Sequence, residues 1–335
     1  MQYKRYFYQF LSVALLALIA VAHAGAQEVD DVVRTETSLV QLNIGVVDKQ
    51  GRAVTSLTKN DFVVYEDGVK QPIQHFEPVD APFSLVLMLD MSGSTITFRQ
   101  QLKLASQRFL DALAPEDRVS VIQFNSEVKS LTGFSVDRQK TAYAIEIAQG
   151  AGETHFYKAL KYALNELQKE GKRRKAIVVL TDGLDTHLRN ADRAMLTKAQ
   201  TDEEALAAIK PDASADLNTV LASADRQGVT IYPLALPSGD PRRLPMPTPN
   251  IIGIYAAARA RLQSLADRTG GRLNEINRLE YMAQLYREVA ANLRTLYTVA
   301  YQAKGDSPRG KWHEIKVEVA NSDLTARTKP GYYAR

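Results

Sequence analysis

Val40, Leu42, Ile44 and Val46 alternate with Gln41, Asn43 and Gly45 near the start of the chain. Alternation with a period of two predicts a half-buried strand. Lys49-Gln50-Gly51 predicts a turn after it. Phe62–Tyr65 and Val69–Phe76 predict two further strands. Glu66-Asp67-Gly68 between them signals a hairpin, because glycine tolerates the positive φ that a tight turn requires. Asp80-Ala81-Pro82 reads as a junction.

Beyond the junction the period changes. Leu85 to Leu89 run without a polar residue, which predicts a strand buried on both faces of a parallel sheet. Ala176–Thr181 and Val229–Leu236 are two more apolar strands, the second stopped by Pro237. Asp117–Phe124 predicts another, with Val128–Phe134 as its hairpin partner. Helical spacing links Phe98, Leu102, Ala105, Phe109 and Leu113. It recurs at Phe156, Leu160, Ala163, Leu164 and Leu167, and at Leu262, Leu265 and Ala266 before Gly270-Gly271. The last amphipathic helix runs through Leu279, Met282, Leu285, Tyr286, Val289 and Leu293 to Leu296. Strands alternating with helices of this length predict an α/β fold with a doubly wound, mostly parallel sheet.

Two connections are long. His187–Ala213 is expected to hold a short helix near Glu203–Ile209. Ser238–Asn250 carries Pro241, Pro245, Pro247 and Pro249 and is expected to be irregular. Both follow the carboxyl ends of sheet strands, where loops shape binding surfaces or simply decorate the edge.

After Leu296 the reading returns to β. Tyr297–Tyr301 is one strand, and Ile315, Val317 and Val319 alternate with charged neighbours in another. Leu324–Thr328 and Tyr332–Tyr333 close the chain. Each flank is short for a core of its own. The expectation is that the two flanks pair into one small β-sandwich, with the α/β unit inserted between its strands. The partition is 1–26 leader, 27–80 first part of the sandwich, 83–295 α/β unit, and 296–335 second part of the sandwich.

The leader is read from Lys4 and Arg5, an apolar Leu11–Ala22, and two small-x-small sites, Ala22-His23-Ala24 and Ala24-Gly25-Ala26. This is the pattern of a secretory signal peptide and predicts a secreted or periplasmic protein. The alternative is an uncleaved anchor, but the apolar stretch falls short of the ~20 residues a spanning helix needs. No membrane span is expected after cleavage.

Formal net charge is +4, and both basic residues of 1–26 would leave with the leader. That balance gives no case for nucleic acid. The one dense basic run, Lys172-Arg173-Arg174-Lys175, is expected to be a solvated loop. The sequence has no cysteine, so disulfides, thiolate metal sites and a lipid-modified cysteine are excluded.

Chemistry concentrates where the apolar runs end. Leu85–Leu89 stops at Asp90, followed by Ser92, Gly93 and Ser94. A core strand that ends in a carboxylate and two hydroxyls places hard oxygen donors at the sheet's carboxyl edge. Taken alone, Asp90 and Ser92 would better suit a helix cap, since both residue types satisfy free N–H groups at a helix start. The pattern Asp-x-Ser-x-Ser resembles the start of the metal-ion-dependent adhesion site of the von Willebrand factor A family. That family adds a threonine from a second loop, matched by Thr154 in Gly152-Glu153-Thr154. It adds an aspartate after a later strand, matched by Asp182 in Ile177–Gly183. The flanks, Leu57–Gly68 and the ending Thr328–Arg335, look like the secreted VWFA-related proteins typical of acidobacteria, whose function is poorly defined.

The resemblance implies a doubly wound α/β domain that binds one divalent cation. Ser92, Ser94 and Thr154 would ligate directly, and Asp90 and Asp182 directly or through water. Oxygen donors of this kind suit Mg²⁺ first, with Mn²⁺ and Ca²⁺ as alternatives. An octahedral ion so held keeps one position for an Asp or Glu carboxylate of a protein partner, so the implied function is adhesion, with no bond broken. Glu153 departs from the family, which has Gly before the threonine, and could add a ligand or face solvent. Asp185 could support Asp182 or make a loop turn.

Two other functions stay open. One is a structural module of envelope assembly whose metal site is vestigial or only stabilising. The other, more remote, is a metal-dependent hydrolase. A dehalogenase-type phosphatase would need a second Asp where Ser92 stands, and no Gly-x-Ser-x-Gly elbow, phosphate-binding glycine loop or His-Glu-x-x-His occurs. His75, His155, His187 and His313 lack zinc-ligand spacing. The expectation is therefore a binding protein and not an enzyme.

Overall fold

A computed structural model describes residues 39–171, 173–237, 247–276, 278–303, 308 and 310–334. The leader reading over 1–26 and most of the Pro-rich stretch lie outside the described residues.

The α/β unit is built on a six-stranded sheet. Its strands are β5 (Phe83–Asp90), β6 (Arg118–Phe124), β7 (Val128–Ser135), β8 (Arg174–Thr181), β9 (Val229–Ala235) and β10 (Asn274–Glu275). The order is β10-β9-β8-β5-β6-β7, all parallel except β7, which returns antiparallel beside β6. β5 is central and buried along its whole length. Its side chains alternate between two cores. Leu85, Leu87 and Leu89 face α1 (Arg99–Asp111), α2 (Arg138–Glu146) and α8 (Met282–Leu293). Val86 and Met88 face α3 (Phe156–Gln168), α6 (Ala215–Gln227) and α7 (Pro249–Thr269). A strand covered by helices on both sides has no polar face, which is why the apolar run is unbroken.

The remaining strands are β1 (Leu39–Val47), β2 (Phe62–Glu66), β3 (Val69–Gln71), β4 (Ile73–Glu77), β11 (Leu296–Gln302), β12 (Trp312–Val319), β13 (Thr325–Arg327) and β14 (Gly331–Tyr333). They form two antiparallel sheets, β13-β1-β11-β4 and β14-β12-β2-β3. Each sheet mixes strands from both ends of the chain, β1 pairing with β11 and β2 with β12. The sheets share one core, including Leu42, Ile44, Val64, Tyr297, Val299 and Ile315. The fold is thus an α/β unit inserted in a small β-sandwich. Among the described residues no helix is long and apolar enough to cross a membrane.

Several expectations are corrected. Val69–Phe76 is two strands in different sheets: β3 pairs with β2 and β4 with β11. Pro72 lies between them, and a residue without an N–H suits the crossover. Three helices were not foreseen: α2, α4 (Thr186–Met195) and α6. The short helix expected at Glu203–Ile209 is α5 (Asp202–Ala208). Asn250 is not in an irregular segment, because α7 starts at Pro249, with Thr248 capping Ile251 N–H. Proline is well placed at a first helical position, where its missing N–H is not needed.

The largest correction concerns the basic run. Arg174 and Lys175 belong to β8 and are buried. Arg174 donates to the carbonyls of Val79 (3.0 Å), Ala81 (2.9 Å), Leu293 (3.2 Å) and Leu296. Its guanidinium also lies 4.0 Å from the Phe83 ring centroid. Those carbonyls lie on the two crossings between sandwich and α/β unit, so one side chain fastens both. Asn43, on the face of β1 turned away from the sandwich core, adds bonds to Gly228 O (3.3 Å) and Thr230 Oγ1 (2.7 Å). Lys329 pairs with Asp225 at 2.9 Å.

Removing the Arg174 guanidinium would leave several buried carbonyls without a donor, each costing ~1–3 kcal/mol. Arg174→Met is expected to lower stability by about 3–5 kcal/mol in urea unfolding. A loss below ~1 kcal/mol would show that water or a neighbour replaces the fastening.

Candidate metal centre

Three loops meet at the carboxyl edge of the central sheet. The first follows β5. Asp90 is fully buried, and both its oxygens are engaged: Oδ1 accepts Ser92 N–H at 3.0 Å and Oδ2 accepts the Thr181 hydroxyl at 2.7 Å. A 3-10 turn, Gly93–Phe98, then starts the path into α1. Thr95 Oγ1 lies 2.8 Å from Asp90 O and 3.0 Å from Ser92 O, which locks the turn. Ser92 Oγ and Ser94 Oγ are 3.2 Å apart. Ser92 is buried whereas Gly93 and Ser94 are exposed, so the site opens to solvent on this side.

The second loop is held to the first by Gly93 N–H donating to Gly152 O at 3.0 Å. Gly152 has φ +84°, and a Cβ there would meet Ser126 Oγ at 2.9 Å. Thr154 is buried, and its N–H donates to Thr186 Oγ1 at 3.0 Å, while Thr186 N–H donates back to Thr154 O at 2.9 Å. That exchange ties the second loop to the third.

The third loop follows β8. Asp182 Oδ1 accepts Leu184 N–H at 3.0 Å. Its Oδ2 is buried with no hydrogen-bond donor. Thr181 Oγ1 accepts Gly183 N–H at 3.0 Å while giving its own proton to Asp90, so one hydroxyl bridges the first and third loops. Asp185 is the N-cap of α4. Its Oδ1 accepts His187 N–H (3.0 Å) and Leu188 N–H (3.3 Å), and its Oδ2 accepts Tyr157 N–H (3.2 Å). It therefore fixes where α3 and α4 start.

Burial pushes the Asp90 carboxyl up to about 7, and the Asp182 charge beside it adds to the rise. Burial raises Asp182 as well, opposed by the Ser94 hydroxyl, Leu184 N–H and the Arg259 charge. Two carboxylates this close and this dry resist being ionised together. Glu153 is exposed, with His155 Nε2 3.6 Å from its Oε2. Among the described residues no group of three or more His, Cys, Asp and Glu converges on a metal position. Any cation here would rely on hydroxyls beside two carboxylates.

Asp90, Ser92 and Ser94 thus share one turn, and the Asp182 charge reaches Asp90. Thr154 joins them through the backbone of its loop. Sequence reasoning missed Thr181 and Thr95 as the side chains that position Asp90. Thr181 sat in plain view before Asp182, but a threonine closing a β-strand carries no distinguishing signal.

Residues 85–184 match the family model for the von Willebrand factor type A domain. Among solved structures, the chain is similar to the vWF domain of the type V pili tip protein Mfa5 from Porphyromonas gingivalis. Identity is 15%, coverage is 64% of this chain and 95% of that one, and the TM-score is 0.47. It is also similar to a von Willebrand factor type A protein from Catenulispora acidiphila, with 12% identity, coverage of 90% and 74%, and a TM-score of 0.47. A third is proximal thread matrix protein 1 from the mussel byssus, solved with a zinc-occupied MIDAS motif. There identity is 14%, coverage 67% and 48%, and the TM-score 0.44.

The carboxylate pair implies a specific pH response in metal-free protein. Between the ordinary aspartate pKa of 3.8 and about 7, the unfolded chain releases the Asp90 proton while the folded chain keeps it. Stability from this group therefore falls as pH rises through that window and stays low above it. With chelator present, Asp90→Asn is expected to melt above wild type at pH 8, the difference closing by pH 4. Equal melting temperatures at pH 8 would remove the buried-pair account.

Proposed function

We propose, for a chain that carries a von Willebrand factor type A domain, that this site binds one divalent cation and recognises an acidic group on a protein partner. The observation that carries the reading is the buried Asp90–Asp182 pair, in which Asp182 Oδ2 has no donor. A lone buried acceptor beside a second carboxylate is costly unless a cation or proton completes it. The donors nearby are hydroxyls and carboxylates, the set that hard cations take.

Ser92, Ser94 and Thr154 would hold the ion through hydroxyls, with Asp90 and Asp182 as its anionic side. Mg²⁺ is the first choice, with Mn²⁺ and Ca²⁺ as alternatives. When bound, such an ion supplies a Lewis-acidic position that a partner's Asp or Glu carboxylate can fill. The chain's own residues do the rest. Thr181 and Ser92 N–H orient Asp90. Asp185 fixes the helix starts behind Thr154 and Asp182. The exposed Gly93–Ser94 edge leaves a path for the partner. No bond-breaking step belongs to this reading. We further propose that 1–26 is a leader directing the protein to a secreted or periplasmic location, and that 83–295 is the binding unit carried on the sandwich of 27–80 and 296–335.

Calorimetric titration tests the site. Wild type is expected to bind Mg²⁺ or Mn²⁺, and Asp90→Ala and Asp182→Ala to lose at least ~10-fold in affinity, the equivalent of ~1.4 kcal/mol. At a hundred times the dissociation constant, the cation should stabilise the wild-type fold by about 2.7 kcal/mol and the variants by much less. Titrations that do not distinguish wild type from Asp90→Ala would end the proposal. Retention of a partner in the presence of chelator would favour a structural module instead.

A further inference from the structure

The two sides of the site are held in different ways. On the Asp182 side α7 forms a wall: Gly183 has φ +83°, and a Cβ on it would lie 2.7 Å from Leu262 Cδ1 and 3.4 Å from Ala258 O. On the Thr154 side, Ala151, Gly152 and Glu153 are exposed. Gly150 and Gly152 add backbone freedom there. An exposed, glycine-containing segment is not fixed by packing, so hydrogen bonds must fix it.

The end of β6 supplies them. Gln123 uses both ends of its amide on Gln149: Nε2 donates to Gln149 O at 2.7 Å, and Oε1 accepts Gln149 N–H at 3.0 Å. Asn125 Nδ2 donates to Ala151 O at 2.8 Å, while its Oδ1 accepts Glu127 N–H at 3.1 Å within its own turn. Ser126 Oγ accepts Glu153 N–H at 3.1 Å. Gln149, Ala151 and Glu153 are thus each held by a side chain, with the period of an extended chain. The fit is close, since a Cβ on Gly150 would lie 2.8 Å from both Asn125 Nδ2 and Met91 O. The backbone here reaches both loops. Phe124 O accepts Met91 N–H from the first loop at 2.8 Å, and Asn125 O accepts His155 N–H from the second at 3.0 Å. Thr186 Oγ1 takes Thr154 N–H, so the N–H groups of Glu153, Thr154 and His155 are all engaged by the protein itself.

We infer that Gln123, Asn125 and Ser126 are positioning residues for the cation: they hold the second loop so that Thr154 is in place to receive it. The inference rests on the reading under Proposed function, in which Thr154 is a ligand. A ligand that is already ordered costs little ordering entropy when the ion binds. Without these bonds the ion itself must order the loop, and its affinity falls. The three side chains act through Thr154 and not by touching the ion.

The test uses the whole chain and Mn²⁺. Asn125→Ala and Gln123→Met are each expected to weaken Mn²⁺ binding about three- to tenfold. Made in a Thr154→Val background, the same substitutions should change the residual affinity by less than about twofold, because the hydroxyl they position is gone. A general loss of structure would lower affinity equally in both backgrounds. Hydrogen exchange read by mass spectrometry gives a second arm that needs no Thr154 variant. In metal-free wild type the amides of Glu153, Thr154 and His155 should be protected, and Mn²⁺ should change them little. In Asn125→Ala they should exchange about tenfold faster without Mn²⁺ and regain protection at saturation. Gln123→Met, confined to a half-buried side chain, keeps both arms decisive if Asn125→Ala does not fold. Affinities unchanged in the variants, equal losses with and without the Thr154 hydroxyl, or loop amides that exchange as in wild type would overturn the inference, while Asp90-dependent Mn²⁺ binding would preserve the underlying reading. Absence of Mn²⁺ binding in wild type would remove both.

Discussion

The Asp90 carboxylate ends the central strand inside the protein, and the surrounding loops are organised by the need to satisfy it. Ser92 N–H and the Thr181 hydroxyl each take one of its oxygens. To do so, the turn after β5 must curl back and the end of β8 must lie directly alongside. The parallel pairing of β5 with β8 delivers that alignment, with Leu89 opposite Leu180. A buried carboxylate with its donors in place is tolerated; one without them is expensive. Asp182, one residue beyond β8, is the exception, since only one of its oxygens is so served. The contrast between two adjacent aspartates, one fully bonded and one half bonded, gives the site its chemistry.

β8 carries buried charge near both ends. Arg174 opens the strand, and Asp182 follows its close. Eight residues of strand separate charges by roughly 25 Å, too far for direct pairing. Each is solvated locally instead, the arginine by backbone carbonyls and the aspartates by N–H and hydroxyl groups. Local solvation ties each end to different parts of the molecule. The arginine end gathers the two crossings to the sandwich, and the aspartate end gathers the three loops of the site. Neither end depends on the other, so the sandwich attachment and the binding edge are built on opposite ends of one strand.

Features encoded locally were legible in the sequence. The unbroken Leu85–Leu89 run, the Asp67-Gly68 hairpin with φ of 48° and 78°, and the alternation in β1 and β12 all survive in the structure. α6 carried its own signals as well. Ser214 caps Leu217 N–H, Gly228 ends the helix at φ +62°, and Leu217, Val220, Leu221 and Ala224 face the core. This helix is therefore encoded locally, by its cap, its terminating glycine and its apolar spacing. Arg174 is different in kind. A Lys-Arg-Arg-Lys run reads as solvated, and its burial depends on carbonyls some hundred residues away on either side. No local pattern encodes that. The same holds at the site, where the Asp-x-Ser-x-Ser turn was visible but the bridging role of Thr181 required knowing that β8 lies next to β5.

The wall beside Asp182 makes the site asymmetric. On one side, Gly93, Ser94, Gly152 and Glu153 are exposed and low. On the other, α7 begins about nine residues before the point where it meets Gly183. At 1.5 Å per residue, its first turns extend roughly 13 Å beyond that contact. They are held by a small apolar core of their own, packed against α5 and the 3-10 turn Leu196–Lys198 that follows α4. On the proposed reading, a ligand would enter across the glycine-rich side and run toward the wall. Shape alone then imposes a direction on the ligand. A bare end-of-sheet site would accept a carboxylate from many angles, whereas a walled one accepts it from a narrower range.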